Sequence, residues 1–292
     1  MDTRAFQYTE DPFTLTFSPC TRKPLTWKEE VQAIARGMVK DAGSRPIIVC
    51  ASGGTDSELV CRAFYDQGIY FSVLTVEHAA GTNKEDIAHA QRWCRDRGVE
   101  HKLVRLDMAE FMSKSIERYI EQGYIAGNVF RYFQLFLLET VESMGGYAVL
   151  GGGGQIYEIA NDSPTEKDIY LEYGSGFALP LQWIKQNGNA HRPYFYYSTS
   201  EAVLAYLQIP IVDFAVHHPE IFAHKINTYL FKRLVSQALW PDLVPRPKMS
   251  GYEEIRELRR ETEQKLRARF RDKLQKFRLP IVELRKQLEL KL

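Results

Sequence analysis

The stretch that decides the fold is IIVCASGGTDS, residues 47–57. Its first four residues are a continuous apolar run, typical of a strand in a parallel sheet that is covered on both faces. Gly53 and Gly54 then allow a sharp turn and close backbone approach, and Asp56 and Ser57 fall in the first turn of a predicted helix. A strand, a glycine turn and a helix N-terminus present converging N–H groups and a positive dipole end, which together favour a phosphate.

This motif differs from two common phosphate-binding loops, because it lacks the Lys-Ser/Thr of the Walker pattern and the spacing of G-x-G-x-x-G. It resembles S-G-G-x-D-S, the PP-loop of the ATP pyrophosphatases, which cleave ATP between the α and β phosphates. The resemblance implies that the loop holds the pyrophosphate portion of ATP and that Asp56 helps to place Mg²⁺. The nucleotide-binding residues that it implies here are Ser52, Gly53, Gly54, Thr55, Asp56 and Ser57. The alternative is a glycine-rich turn that carries Ser and Asp by chance.

Composition limits the class of protein. The chain has 292 residues, 45% of them hydrophobic, and a formal net charge of +1, which suits one sizeable α/β domain with an appendage. It has no apolar run of membrane length and no signal-peptide pattern at its N-terminus, so a cytoplasmic protein is expected. The four cysteines are scattered, without C-x-x-C or zinc-ligand spacing, and we interpret them as packed thiols.

Hydrophobic periodicity predicts an α/β fold. Strands near 70–77, 101–107 and 147–150 alternate with helices near 84–97, 108–121 and 128–144. This alternation indicates a doubly wound parallel sheet, with the ligand crevice at the carboxyl ends of the strands and a mostly helical C-terminal region. The PP-loop resemblance implies that this sheet is of the HUP type. We predict a lead-in segment over 1–45, with a strand at 13–17 and a helix near 26–40 capped by Thr26. An ATP-binding domain over 46–180, a helical substrate region over 181–254 and a basic amphipathic helical tail over 255–292 follow.

The family resemblance also suggests the rest of the nucleotide site. By analogy with PP-loop proteins, the adenine lies against backbone at Leu74 and Val76. In asparagine synthetases the fourth strand runs into S-G-x-G-x-D-E, whose acidic pair serves the metal and pyrophosphate. Here four glycines follow that strand, so Gly152 and Gly153 are predicted nucleotide contacts, whereas the acidic pair falls on Ile156 and Tyr157. Glu158 or Asp162 would then supply the second metal carboxylate; the alternative is a flexible glycine loop with solvated acids.

Cations are expected near the reacting phosphates, because loss of pyrophosphate puts extra negative charge on the leaving group and the adenylate. The stretch RPYF at 192–195 and the pattern from 227 to 248 resemble elements of asparagine synthetase C-terminal domains. The family lysine that contacts the acyl-adenylate aligns with Tyr229, so a lysine one helical turn away would have to substitute. The candidate catalytic cations are Arg192, Lys225, Lys232, Arg246 and Lys248. The alternative for each of these residues is that it is an ordinary solvated charge on the surface, without a catalytic role.

Two further features leave alternatives open. Eight aromatic residues between 170 and 197 could form core, an aromatic pocket or a base-stacking surface. The basic tail suits nucleic acid, dimerisation or docking on the domain, so nucleic acid and a homo-oligomer are both candidate partners beside a small-molecule acceptor.

The resemblance predicts an AMP-forming ligase that uses ATP and Mg²⁺. The chain resembles the synthetase domain of asparagine synthetase. A glutaminase domain is not expected, because its nucleophile is an N-terminal cysteine and here Asp2 follows Met1. A substrate oxygen, expected to be a carboxylate, would attack the α-phosphate, and an amine or ammonia would displace AMP. The alternatives are a PP-loop enzyme that modifies a nucleobase or nucleic acid, one that transfers sulfur, and a non-catalytic ATP-binding protein.

Overall fold

A computed structural model gives the structure of most of the chain. The residues that it describes are 5–10, 13–151, 158–159, 169–188, 191–222, 225–243 and 255–289. The strands are β1 (Phe6–Glu10), β2 (Phe13–Phe17), β3 (Ile47–Cys50), β4 (Ser72–His78), β5 (Glu100–Leu106), β6 (Tyr147–Leu150), β7 (Glu158–Ile159), β8 (Ile169–Gly174) and β9 (Lys276–Pro280). The first helices are α1 (Trp27–Ala42), α2 (Thr55–Tyr65), α3 (Lys84–Arg97), α4 (Met108–Glu110), α5 (Ile116–Glu121) and α6 (Val129–Ser143).

The later helices are α7 (Leu179–Asn187), α8 (Ser200–Leu207), α9 (Pro210–His217), α10 (Pro219–Phe222), α11 (Lys225–Leu239), α12 (Arg256–Arg269) and α13 (Ile281–Leu288). Short 3₁₀ turns cover Ser175–Ala178 and Phe195–Tyr197. In the part of the chain that the structure describes, no helix is both long enough and apolar enough to cross a membrane.

The central sheet has four parallel strands in the order β5-β4-β3-β6. From β3 the chain steps outward to β4 and then β5, and it returns on the other side of β3 to form β6. The strand order therefore reverses between β3 and β6, and their carboxyl ends open into the crevice where ligands bind in sheets of this kind. The predicted fold class, a doubly wound parallel sheet with a largely helical remainder, is confirmed.

Alternate residues of the sheet belong to two hydrophobic clusters, as the period of two in a strand requires. Val49 and Val149 pack with α1, α2 and α3 on one face. Ile48 and Ala148 pack with α5 and α6 on the other face. Helices therefore cover both faces, which explains why the two strands at the switch point, β3 and β6, are continuous buried runs.

Local signals place several helix ends correctly. Thr26 and Glu29 form a capping box at the start of α1, and α3 ends where Gly98 takes a left-handed conformation with φ +64°. The predicted helix over 108–121 is helical throughout, with a π-helical turn over Phe111–Ser115 between α4 and α5. The Ser113 hydroxyl donates to the Ala109 carbonyl at 2.8 Å, a bond that competes with the regular helix ladder.

The C-terminal segment is integrated into the body of the protein. β9 pairs antiparallel with β8, and β8 also pairs with β7. The helical pattern predicted up to Pro280 is therefore wrong for Lys276–Pro280, where Phe277 and Leu279 alternate in the strand pattern. α13 packs against α8 and β2, while α12 packs against α6. The predicted segment boundaries stay predictions.

Candidate functional site

The glycine turn follows β3 at the switch point of the sheet. Gly53 has φ +79°, a conformation that L side chains rarely adopt. A Cβ atom there would lie 2.6 Å from the carbonyl carbon of Asp86 and closer still to its oxygen. The turn therefore packs directly against the first turn of α3. Only glycine fits this position, both for its backbone angle and for its neighbour.

The turn leads into the N-terminus of α2 without a capping side chain. Gly54 is the N-cap residue, in extended conformation, and as a glycine it has no side chain with which to cap the helix. The Ser57 hydroxyl is buried and donates to the Gly54 carbonyl at 2.9 Å. Ser52 is exposed, and Thr55 and Asp56 are half-buried. A helix end with this geometry offers backbone donors and a dipole to an anion.

The end of β6 meets the same helix. A Cβ atom on Gly151 would lie 3.1 Å from the Cα of Ser57. The carboxyl ends of β3 and β6 therefore converge at the N-terminus of α2, which is where the switch point of the sheet predicts a ligand. Gly152 and Gly153, the predicted nucleotide contacts that follow Gly151, lie outside the described residues.

The residues near the turn fit Mg²⁺ better than a softer metal. Asp56 is a half-buried carboxylate in the first turn of α2. Among the residues that the structure describes, no three His, Cys, Asp or Glu side chains are grouped so as to hold a metal by themselves. Mg²⁺ commonly binds through one or two carboxylates together with substrate phosphates and water, so one protein carboxylate suffices. The side chain of Glu158 and all of Asp162 lie outside the described residues.

The backbone predicted to hold the adenine is already hydrogen-bonded within the chain. The Leu74 carbonyl accepts from the Ala51 N–H at 2.9 Å. The Val76 carbonyl accepts from Asn83 Nδ2 at 2.8 Å, and the same side chain accepts from the His78 N–H at 2.9 Å. β3 ends before this part of β4, so β3 does not pair with Val76 or His78. The Asn83 side chain makes the hydrogen bonds to them that a neighbouring strand would otherwise make. Each carbonyl keeps one lone pair for a further donor.

The structure does not bring Arg192 to the glycine turn. Its Nε lies 2.5 Å from Asp41 Oδ2, and Asp41 is in the last turn of α1, which leads into the amino end of β3. Arg192 also bridges to Val149 at the edge of β6. The guanidinium is therefore engaged near the opposite end of β3 from the turn.

The other predicted cations are less fully described. Lys225 and Lys232 lie on α11, but nothing is described of their side chains. Arg246 and Lys248 lie outside the described residues. All four stay predictions.

Two supporting interactions at α2 escaped the sequence analysis. The buried Tyr196 hydroxyl donates to the Asp56 carbonyl at 2.7 Å, across 140 positions of sequence. Arg62 bonds to Glu58 at 3.0 Å and to Asp242 at 2.7 Å, and so connects α2 with the residues that follow α11. The spacing of Glu58 and Arg62, four residues apart on a helix, was a usable signal. Nothing in the sequence pairs Tyr196 with Asp56.

The four cysteines are buried, as the packed-thiol interpretation expects. Burial raises the pKa of Cys50 to about 12 and that of Cys94 to about 11, and it raises the pKa of Cys61 as well. Cys61, Cys94 and Trp93 line a cavity of about 20 Å³ beneath the turn, room for roughly one water. Protonated, buried thiols are poor nucleophiles.

The aromatic cluster between 170 and 197 is core. All eight side chains are buried: Tyr170, Tyr173, Phe177, Trp183, Tyr194, Phe195, Tyr196 and Tyr197. Phe177 and Tyr194 stack with their ring centroids 4.1 Å apart. An open base-stacking surface made of these rings is therefore excluded.

Comparison with known proteins gives a partial match. No protein-family model matches the chain. Over 113 residues the chain is 29% identical to the NH(3)-dependent NAD(+) synthetase of Methanoregula boonei, a match that covers 37% of this chain and 44% of that relative. The chain therefore spans less than half the length of the curated relative. This match agrees with the predicted superfamily of PP-loop ATP pyrophosphatases.

Solved structures resemble the chain only weakly. The NMN synthetase from Francisella tularensis has a TM-score of 0.34 and 11% identity, covering 85% of this chain and 96% of that one. The NH3-dependent NAD synthetase from Campylobacter jejuni has a TM-score of 0.35 and 13% identity, covering 76% and 99%. The U34-tRNA thiolase from Methanococcus maripaludis has a TM-score of 0.31 and 13% identity, covering 84% and 88%. At such TM-scores these neighbours add nothing to the assignment.

Proposed function

We propose that this chain is an ATP-dependent, AMP-forming ligase that activates a carboxylate and transfers it to ammonia or an amine. The observation that carries the proposal is the glycine turn after β3, whose backbone and helix end suit the pyrophosphate portion of ATP. The sequence match to an NH(3)-dependent NAD(+) synthetase supports ammonia or an amine as the second substrate. The same match favours a general PP-loop ligase over a specifically asparagine synthetase-like one.

The proposed reaction has two steps. A carboxylate oxygen of the acceptor attacks the α-phosphorus of ATP, a new P–O bond forms, and the bond to the β-phosphate oxygen breaks to release pyrophosphate. The nitrogen of ammonia or an amine then attacks the activated carbonyl, AMP leaves with the C–O electron pair, and the nitrogen loses a proton. Adenylation thereby converts a poor leaving group into a good one.

In this proposal the chain contributes mainly position and charge. The N–H groups at the start of α2 bind the pyrophosphate oxygens, and Gly53 and Gly151 let the backbone approach them closely. Tyr196 holds the Asp56 carbonyl and so orients the first turn of α2. Asp56 would hold Mg²⁺, which when bound neutralises charge on the leaving pyrophosphate.

The test is pyrophosphate release from ATP and Mg²⁺ across a panel of carboxylic acids and nucleotides, with and without ammonia. We expect the unsubstituted protein to release pyrophosphate and AMP with the correct acceptor, and the Asp56→Ala variant to release at least about tenfold less. The matched control is Asp96→Ala, an exposed aspartate near the C-terminal end of α3, which should release pyrophosphate as the unsubstituted protein does. Formation of ADP and phosphate instead would contradict the proposal.

Two alternatives from the sequence can be separated from this proposal, one by the structure and one by measurement. Sulfur transfer is disfavoured, because the four thiols are buried. Burial raises the pKa of thiols such as Cys50 and Cys94, so they stay protonated near neutral pH and are poor nucleophiles. A non-catalytic ATP-binding protein would bind ATP in calorimetry and yet release no pyrophosphate with any member of the panel.

A further inference from the structure

The charge of the chain is distributed very unevenly. Residues 255–278 contain ten Lys and Arg against four Asp and Glu, a net charge of +6. The rest of the chain then has 28 Lys and Arg against 33 Asp and Glu, a net charge of −5. The overall value of +1 therefore conceals a concentrated basic segment on an otherwise acidic protein. Such asymmetry is typical of a surface that binds a polyanion.

This basic segment is held firmly on the protein. Leu266 of α12 and Phe270, the residue that follows this helix, are buried in the hydrophobic cluster that contains α6. Arg267 Nε donates to the Gly127 carbonyl at 3.2 Å, and Arg269 pairs with Glu117 at 2.7 Å. The apolar side of α12 is therefore used in the core, and a mainly charged side remains exposed. A membrane-surface helix would need that apolar side free to enter the lipid.

Several of the exposed cations of this segment have no acidic partner among the residues that the structure describes. Arg260, Arg267 and Arg269 are in ion pairs with nearby glutamates, and Lys276 and Arg278 share Glu172. Within the part of the chain that the structure describes, four exposed cations of this segment are in no ion pair: Arg256, Lys265, Arg271 and Lys273. These four charges are available to phosphate groups.

The basic segment adjoins the crevice end of α6. α6 leads into the amino end of β6, so its first turn lies toward the carboxyl ends of the strands, about 22 Å away along the helix. Glu263 of α12 accepts from the Val129 N–H in that turn at 3.4 Å. The next residue, Phe130, is 47% exposed, with the Arg131 guanidinium 5.9 Å from its ring centroid. An exposed ring beside a guanidinium suits a nucleobase.

We propose that α12, the turn after it and the first turn of α6 form a binding surface for single-stranded nucleic acid. The four unpaired cations would contact phosphates, and Phe130 would stack on a base. This binding does not depend on the chemistry at the glycine turn. If the ligase reaction is also correct, the surface would bring a nucleic-acid acceptor to the mouth of the crevice.

The test is fluorescence anisotropy with a labelled 20-nucleotide oligothymidylate, without ATP, at several salt concentrations. Four phosphate contacts predict that log K falls with log salt with a slope of about −2.8, a loss of roughly 50-fold between 50 and 200 mM. The double variant Arg271→Gln with Lys273→Gln should halve that slope. Phe130→Ala should weaken binding about 5-fold or more. Thermal melting of each variant checks that it is folded.

The matched control is Lys23→Gln with Lys40→Gln, which removes two exposed cations near and within α1, on the other face of the sheet. It should bind as the unsubstituted protein does, and so should Asp56→Ala, which disables only the proposed ATP chemistry. If the α1 control loses as much oligonucleotide affinity as the Arg271→Gln, Lys273→Gln variant, the proposal that this surface is the binding site is overturned. Unchanged binding by Phe130→Ala, or equal binding of a duplex of the same length, would overturn single-strand recognition. If the protein binds phosphatidylserine vesicles and no oligonucleotide, the proposal that nucleic acid is the ligand is overturned.

Discussion

Replacement of Gly53 by alanine tests the geometry of the turn most directly. Two separate costs arise at this position. Alanine at φ +79° is disfavoured by about 1–2 kcal/mol, because its Cβ crowds the carbonyl oxygen. The added methyl group would also meet backbone of Asp86, its carbonyl carbon at 2.6 Å, and backbone cannot rotate out of the way as a side chain can.

The second cost is that of overpacking a well-packed contact, about 1–3 kcal/mol. Together the two costs lower the free energy of unfolding by about 2–5 kcal/mol. Any relaxation must move α3 away from the turn, which displaces the N–H groups from the phosphate position. We therefore expect Gly53→Ala to lose ATP binding even at temperatures where it stays folded.

The measurement is urea unfolding followed by circular dichroism, together with calorimetry of ATP binding. Gly98→Ala is the matched control, since Gly98 has φ +64° and nothing lies within 4 Å of its added Cβ. It incurs only the backbone cost and should bind ATP normally. If the two variants are equally stable and bind ATP equally well, then the close approach of the turn to α3 is not as described and the reasoning fails.

Three further predictions follow from named interactions. Tyr196→Phe removes the donor to the Asp56 carbonyl; unfolding should become easier by about 1 kcal/mol and ATP affinity should fall in calorimetry. Arg62→Met removes the guanidinium that pairs with the mostly buried Glu58 carboxylate and should cost about 2–4 kcal/mol, whereas Asp242→Asn, at the exposed partner, should cost under about 1 kcal/mol by the same urea titration. Burial lowers the pKa of His78, His101 and His191 below 6.5, so the unfolded chain takes up protons first as pH falls. The urea midpoint should therefore be lower at pH 5.5 than at pH 7.5; an unchanged midpoint would contradict this.

Features that depend on neighbouring residues were predictable. The apolar run of β3, the glycine turn, the Thr26 cap and the end of α3 at Gly98 are each specified within a few positions. The parallel direction of the strands followed from the alternation of strands and helices, because a helical crossover returns the chain in the same direction. Only the structure gives the order of the strands. The local propensities and the final fold agree at these places.

Features that depend on distant residues were not predictable. Arg192 carries the same charge as any candidate phosphate ligand, and only the packing of α1 beside β6 shows that Asp41 engages it. Lys276–Pro280 is too short for a period of two to distinguish it from the surrounding helical pattern, and its strand conformation comes from pairing with β8 about 100 positions earlier.

The sequence by itself determined that a phosphate-binding turn follows a buried strand and opens a helix, because that information is contained in eleven consecutive residues. Only the tertiary structure decided what surrounds the turn. Asp86 packs against Gly53, Asn83 occupies the edge of β4, and Tyr196 holds the Asp56 carbonyl. These contacts join elements whose separation in sequence carries no periodic signal, so they arise only when both faces of the sheet bury their apolar surface at once.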